Sequence, residues 1–206
     1  EIVDFKAEAI IQPFISPYLI DGHKFDLRIY LMITNLDPLT LYIYKDSISC
    51  FCEEEFTKPI SENRKSYSFD RKISSTPKIE LIRYAEPIIK RISHNTNDLW
   101  KKIERISALS IISIFKQAKE FALKSCATND QEFAKDDIQL IPPLNRFYNL
   151  IGIDILIDDH GNPFVIGMND NPGMKPLSEI DNQFKKELIQ SEYELIANLL
   201  EKMNSD

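Results

Sequence analysis

From Phe25 to Thr34 the chain reads FDLRIYLMIT, and no other stretch constrains the fold as strongly. Phe25, Leu27, Ile29, Leu31 and Ile33 fall on one side of an extended backbone, and Asp26, Arg28 and Tyr30 on the other. That is the period of two expected of a half-buried strand. Asn35-Leu36-Asp37-Pro38 is a turn, Leu39 to Lys45 returns rich in β-branched and aromatic residues, and Asp46-Ser47 turns the chain into Ile48 to Cys52. Three strands joined by short turns predict an antiparallel meander, with Asp26 and Arg28 on one face and the other face buried.

The remaining elements follow from periodicity and punctuation. A short strand is expected from Glu8 to Phe14, ahead of the Ser16-Pro17 turn. Thr57 to Lys78 is polar and aperiodic and reads as a mobile loop, and Glu80 to Ile92 has helical spacing. Asn97 or Asp98 is placed to cap a longer helix running to about Cys126, with Ile103, Ile106, Leu109, Phe115 and Phe121 as core candidates. Gly152 to Asp158 is a strand, Asp159 to Asn162 a hairpin turn, Pro163 to Asn169 the returning strand, and an amphipathic helix covers about Ser178 to Met203.

Composition narrows the class. A chain of 206 residues, 43% hydrophobic and 28% charged, can bury a globular core. No apolar run reaches the length of a membrane span, and no membrane partner is expected. The opening Glu1-Ile2-Val3, with neither an initiator Met nor a signal-peptide pattern, reads as the start of an interior or C-terminal part of something longer. The net charge of −7 argues against nucleic acid as partner, yet Lys58 to Arg105 holds 12 Lys+Arg against 6 Asp+Glu. That segment is either a docking face for an acidic partner or a solvated surface. Cys50 and Cys52 share a face but stand too close for an easy disulfide, so with Cys126 they read as reduced thiols.

Two groups of residues could carry chemistry. Lys24, Asp26 and Arg28 project from one face of one strand, two cations around a carboxylate, as a phosphate site would need. Cross-strand ion pairs on a solvent-facing strand would look the same. Asp154 and Asn169 stand on the two strands of the second hairpin, where facing oxygen ligands could hold Mg²⁺ against nucleotide phosphates. Asp158, Asp159, Asn162, Asp170 and Asn171 read as turn residues.

Three stretches together resemble the tubulin–tyrosine ligase-like family, whose catalytic core is an ATP-grasp fold: IIQPFISPYLIDGHKFDLRIY (10–30), DPLTLYIY (37–44) and NLIGIDILIDDHGNPFVIGMNDNPGM (149–174). The resemblance implies an α/β (α+β), ATP-grasp-like fold with a largely antiparallel sheet flanked by helices. It also implies that residues 1–206 are the C-terminal portion of such a domain, its upstream part lying outside this sequence. By the same resemblance, Gln12, Phe14 and Ile15 match the hinge that holds adenine. Lys24 and Asp26 match residues near the phosphates and ribose, Arg28 a catalytic arginine that stabilises phosphoryl transfer, and Asp154 and Asn169 two of three metal ligands. Active members use ATP and Mg²⁺ to form an acyl phosphate, which an amine then attacks, adding tyrosine, glutamate or glycine to tubulin or another protein.

The departures from that pattern share a direction. The glutamate expected between the two metal ligands is Gly167, a second arginine expected after the Leu39–Lys45 strand falls at or near Cys50, and the acidic residue before the G-x-D strand is Asn149. An H-L-T-N-like segment has no counterpart in Phe56 to Lys78. Each change removes metal binding or phosphate charge compensation, on which phosphoryl transfer depends. The favoured expectation is therefore a pseudo-ligase with ATP and Mg²⁺ held weakly or not at all. It would act as a binding or structural module on tubulin, microtubules or ciliary proteins, in the cytoplasm and cytoskeleton, cilium and axoneme included. The alternative is an active ATP- and Mg²⁺-dependent ligase, for which Asp170 is the nearest substitute ligand.

Overall fold

The computed structural model describes residues 12–57, 66, 81–128 and 148–205, with the side chains of 118, 119, 121–128 and 203–205 set aside. Its spine is β2 (His23–Leu36), 14 residues long. One edge of β2 pairs antiparallel with β6 (Asn149–Ile157), from Leu27 opposite Ile155 to Ile33 opposite Asn149. The other edge is shared between two strands. β3 (Leu39–Ile43) lies along Leu31–Leu36 and β4 (Ile48–Phe51) along Phe25–Arg28.

The expected meander is thus corrected. β3 and β4 follow one another along the same edge, because β2 is long enough to seat both, and the Tyr44 N–H donates to the Tyr30 carbonyl (2.9 Å) where the chain steps between them. β5 (Ile82–Tyr84) adds to β4, and β7 (Pro163–Asn169) adds to β6. β1 (Leu19–Ile20) folds back on the start of β2 through Asp21 and Gly22, both at positive φ. The result is the expected largely antiparallel sheet, seven strands within the described residues.

Alternation along β2 sorts the two faces. Phe25, Leu27, Ile29, Leu31 and Ile33 join Ile151, Ile153 and Ile155 in the main core, which is covered by α1 (Ala85–Ile92) and α2 (Thr96–Thr128) through Ile88, Ile89, Leu99, Ile103 and Ile111. On the opposite face α3 (Glu179–Ser205) covers Tyr30, Ile48 and Ile82 with Phe184 and Leu188. Phe184 is the hub of that second core, its ring 5.7 Å from Tyr30, 5.8 Å from Tyr44 and 6.1 Å from Tyr84. The polar end of the same face, at Lys24, Asp26 and Arg28, opens into a cavity.

Several boundaries move for identifiable reasons. The helix expected from Glu80 begins at Ala85, since Ile82 and Tyr84 are taken up in pairing with β4. The cap of α2 is Asn95, neither Asn97 nor Asp98. The Asn95 side chain accepts the Asp98 N–H (3.4 Å) and donates to the Asp98 carboxylate (2.6 Å), a reciprocal cap at N3. Leu109, expected in the core, is 52% exposed, and Ile111 is buried instead. Residues 12–16 form no strand. The expected strand before residue 12, the Thr57–Lys78 loop beyond Thr57 and Ser66, and the side chains of Phe121 and Cys126 lie outside the described residues. No helix among the described residues is long and apolar enough to cross a membrane.

Candidate functional site

A cavity of about 600 Å³ lies between the polar end of β2 and the N-terminal turns of α3, within the size range of small-molecule sites. Gln12, Lys24, Asp26, Arg28, Cys50 and Asp154 all line it. Strand alternation sends Lys24, Asp26 and Arg28 to this face, and the β2–β6 register sets Arg28 directly opposite Asp154 across 126 residues of sequence. The Arg28 guanidinium grips that carboxylate with two bonds, Nε to Oδ1 at 2.5 Å and Nη2 to Oδ2 at 3.0 Å. Lys24, 2% exposed, donates to Asp26 Oδ1 at 2.6 Å. Gly152 makes room for the Arg28 stem. A Cβ there would stand 3.3 Å from Arg28 Cδ and 3.1 Å from Pro172 Cβ.

Burial and pairing tune these groups. For Arg28, burial works against the charge, but the Asp154 hydrogen bonds and charge outweigh it and hold the guanidinium above its ordinary value. Burial raises the Asp26 carboxyl above its usual range despite the neighbouring Lys24. The folded protein therefore keeps that proton to higher pH than the unfolded chain. The stability this contributes is full below the ordinary carboxylate range and is lost as pH rises through the raised value. We expect Asp26→Asn to flatten that part of the stability profile, measured as urea midpoints from the ordinary carboxylate range upward; an unchanged slope would refute the assignment. Burial also pushes the Cys50 thiol up to about 12 and that of Cys52 to about 11. Both are free and stay as thiols, so the place expected for a second arginine brings no cation to the cavity.

The hairpin places the metal candidates less evenly than alternation suggests. Asp154 pairs with Gly167, and Asn169 pairs with Gly152, one step along. A bulge between Asp154 and Ile155 inserts Ile166 as an extra residue on β7. Val165 packs towards the helices, but Ile166 and Gly167, consecutive in sequence, both lie on the cavity side beside Asp154, an arrangement that no period-two reading contains. Asn169 Nδ2 donates to Asp154 Oδ2 at 3.3 Å. A Cβ on Gly167 would lie 3.4 Å from that same Oδ2, so a side chain at 167 would stand beside Asp154.

As a magnesium site this set does not fit. It presents one carboxylate, both of whose oxygens already accept from Arg28, one amide, and no side-chain oxygen from position 167. Asp170 is exposed and does not line the cavity. Among the described residues the one cluster with metal-ligand spacing is Asp158, Asp159 and His160. Asp158 there accepts from the His160 and Asn162 N–H groups and from Asn162 Nδ2, which are bonds of the hairpin turn.

Of the expected adenine hinge, Gln12 lines the cavity, whereas Phe14 is exposed and Ile15 half-buried outside it. The segment is held beside the hairpin by Tyr18 N–H to the Ile157 carbonyl (2.8 Å) and Asp159 N–H to the Ser16 carbonyl (3.0 Å). Sequence reasoning missed Lys175, Asp181 and Lys185, which line the far wall. Ser178 caps α3 by accepting the Asp181 N–H (3.1 Å), and this first turn fixes Asp181 so that Lys185, one turn on, reaches it at 2.8 Å. The S-x-x-D-x-x-x-K spacing ahead of an apolar run was the available signal.

The model of the family described as "Tubulin-tyrosine ligase family" matches residues 3–205. Similar proteins include the "Probable beta-tubulin polyglutamylase" of Tetrahymena thermophila, 26% identical over 91% of this chain and 16% of that protein. "Tubulin polyglutamylase TTLL6" of Homo sapiens is 26% identical over 92% of this chain and 21% of its own length. "Tubulin polyglutamylase TTLL11" of Mus musculus is 28% identical over 96% of this chain and 26% of its own length. The chain thus spans a quarter or less of the length of most such relatives.

Proposed function

The chain belongs to the tubulin-tyrosine ligase family, and from that premise we propose that it is a tubulin- or microtubule-binding module that has lost its ligase chemistry. One observation carries the reading. Gly167 stands beside Asp154 without a side-chain oxygen to offer, and the Asp154 carboxylate is held by Arg28. Transfer of a phosphoryl group to a carboxylate relies on metal and cationic charge to offset like-charge repulsion, so a site without a metal grip retains little rate. Tubulin as the partner is supported by the relatives, named as tubulin polyglutamylases. Lys101, Lys102 and Arg105, exposed on α2, belong to the basic segment and offer charge to the acidic tubulin tails. A cytoskeletal location, with cilia and axonemes as the microtubules concerned, follows from this partner.

Cosedimentation with microtubules at moderate salt tests the proposal. We expect the protein to pellet and the bound fraction to fall several-fold as ionic strength rises past 0.3 M, because exposed charges are screened over about 8 Å or less. Failure to pellet would overturn the binding role.

The second reading is an active ATP- and Mg²⁺-dependent ligase, favoured by the retained convergence of Lys24, Arg28 and Asp154 on one cavity. Arg28 would then stabilise the developing phosphoryl charge. Incorporation of labelled glutamate, glycine or tyrosine into tubulin would select this reading over the first.

A further inference from the structure

A second cavity, of about 160 Å³, lies further along α3, where the helix crosses β2 and the end of β3. Tyr30, Tyr42 and Tyr44 line it from the sheet, and Leu188, Glu192 and Leu195 from the helix. Glu192 is the one carboxylate in that lining, and among the described residues no Lys, Arg or His lines it. The Glu192 Oε1 is buried and has no hydrogen-bond partner among the described residues. Burial raises this carboxyl above its ordinary value, with no cation to offset the effect. The neighbouring charges have the same sign: burial raises the Tyr44 hydroxyl, and Asp46 and Glu187 add to the shift. A buried acceptor left without a donor is destabilising, and a ligand bringing both an N–H and a positive charge would satisfy it.

The lining also selects what lies behind that charge. A cavity of this size holds a group about as large as benzene, which excludes a nucleotide. Without a cation in the lining, a free amino acid would leave its own carboxylate unmatched. A four-carbon stem ending in an ammonium fits, its methylenes against Leu188 and Leu195 and its charge drawn to the tyrosine rings as well as to Glu192. Next to the lining residues, α3 exposes Ile189, Tyr193 and Leu200, with Tyr193 70% exposed. A free amine would leave that apolar strip in water, whereas a protein surface would bury it.

We propose that this second cavity receives a lysine side chain of a partner protein. The ammonium donates to Glu192 Oε1, the stem lies among Tyr42, Leu188 and Leu195, and apolar residues beside that lysine cover Tyr193. The inference goes beyond the proposed function and stands whether or not the chain retains ligase chemistry.

An NMR titration of the full chain with the peptide acetyl-Leu-Lys-Leu-amide, followed at the ring protons of Tyr42 and Tyr44, tests this. The peptide should bind saturably in the millimolar range. Its norleucine counterpart, which keeps the stem and lacks the ammonium, should bind about fivefold more weakly or worse. Glu192→Gln keeps the shape and drops the charge, and should weaken the lysine peptide about tenfold, with circular dichroism confirming the fold. Tyr193→Ser, at an exposed position, should weaken it about threefold. Butylammonium, which covers nothing on the strip, should bind more weakly than the peptide. No saturable shift, equal binding of the lysine and norleucine peptides, or an unchanged affinity in Glu192→Gln would overturn the site. Butylammonium binding as tightly as the peptide, or an unchanged affinity in Tyr193→Ser, would overturn a protein as the source of the ammonium.

Discussion

Placing a carboxylate at position 167 should restore magnesium binding. In Gly167→Glu the new Cβ would lie 3.4 Å from Asp154 Oδ2 and 3.8 Å from Asp154 Cβ, ordinary contacts at a backbone position without positive φ, so the strand need not move. The added glutamate stands directly opposite Asp154 in the β6–β7 register. With two carboxylates there a divalent ion can compete with Arg28 for their oxygens and be held, whereas Asp154 alone is neutralised by the guanidinium. We expect nucleotide binding to become Mg²⁺-dependent, with at least tenfold higher affinity in Mg²⁺ than in EDTA, measured by calorimetry. Without the ion the same change sets like charges face to face and should lower stability by about 0.5–1 kcal/mol, a loss that added Mg²⁺ reverses in thermal melts. A variant indifferent to Mg²⁺ would show that the deficit lies elsewhere, and wild-type protein that already binds Mg·ATP tightly would remove the reading of a lost site.

The largest effect on stability is expected from Phe184→Ala. Phe184 is fully buried and meets Tyr30, Tyr44 and Tyr84, which joins α3 to β2, to the step after β3 and to β5. Removing the ring leaves a cavity that two strands, the step after β3 and a helix cannot all close, at a cost of about 3–5 kcal/mol. Because Asp181 and Lys185 sit on the same stretch of α3, the cavity wall should loosen with it. Urea unfolding followed by circular dichroism measures the first effect. A loss below about 1 kcal/mol would mean that the second core contributes little to holding α3 on the sheet.

Much of the sheet is legible in the chain because β2 is strictly alternating, and alternation is a local property. The apolar set Phe25 to Ile33 and the charged set Lys24, Asp26 and Arg28 were separable without any knowledge of partners. The β6–β7 hairpin was legible for the same reason, with Asp159 to Asn162 marking the turn. The order in which strands pair was not. Nothing in Leu39–Ile43 or Ile48–Phe51 says that both lie along one edge of β2, because that depends on the length of β2 and on β6 already holding the other edge.

The candidate site divides along the same line. The residues that could carry charge, and the absence of a carboxylate at 167, are properties of the chain alone, as is membership of its family. That Arg28 grips Asp154, that Ile166 shares the cavity with Asp154 because of a bulge, and that Lys175 and Lys185 close the far wall were decided only in three dimensions. Side-chain type and period are written residue by residue, whereas register and the packing of α3 over the sheet come from contacts more than 100 residues apart, as Arg28 to Asp154 (126 residues) and Tyr84 to Glu187 (103 residues) show.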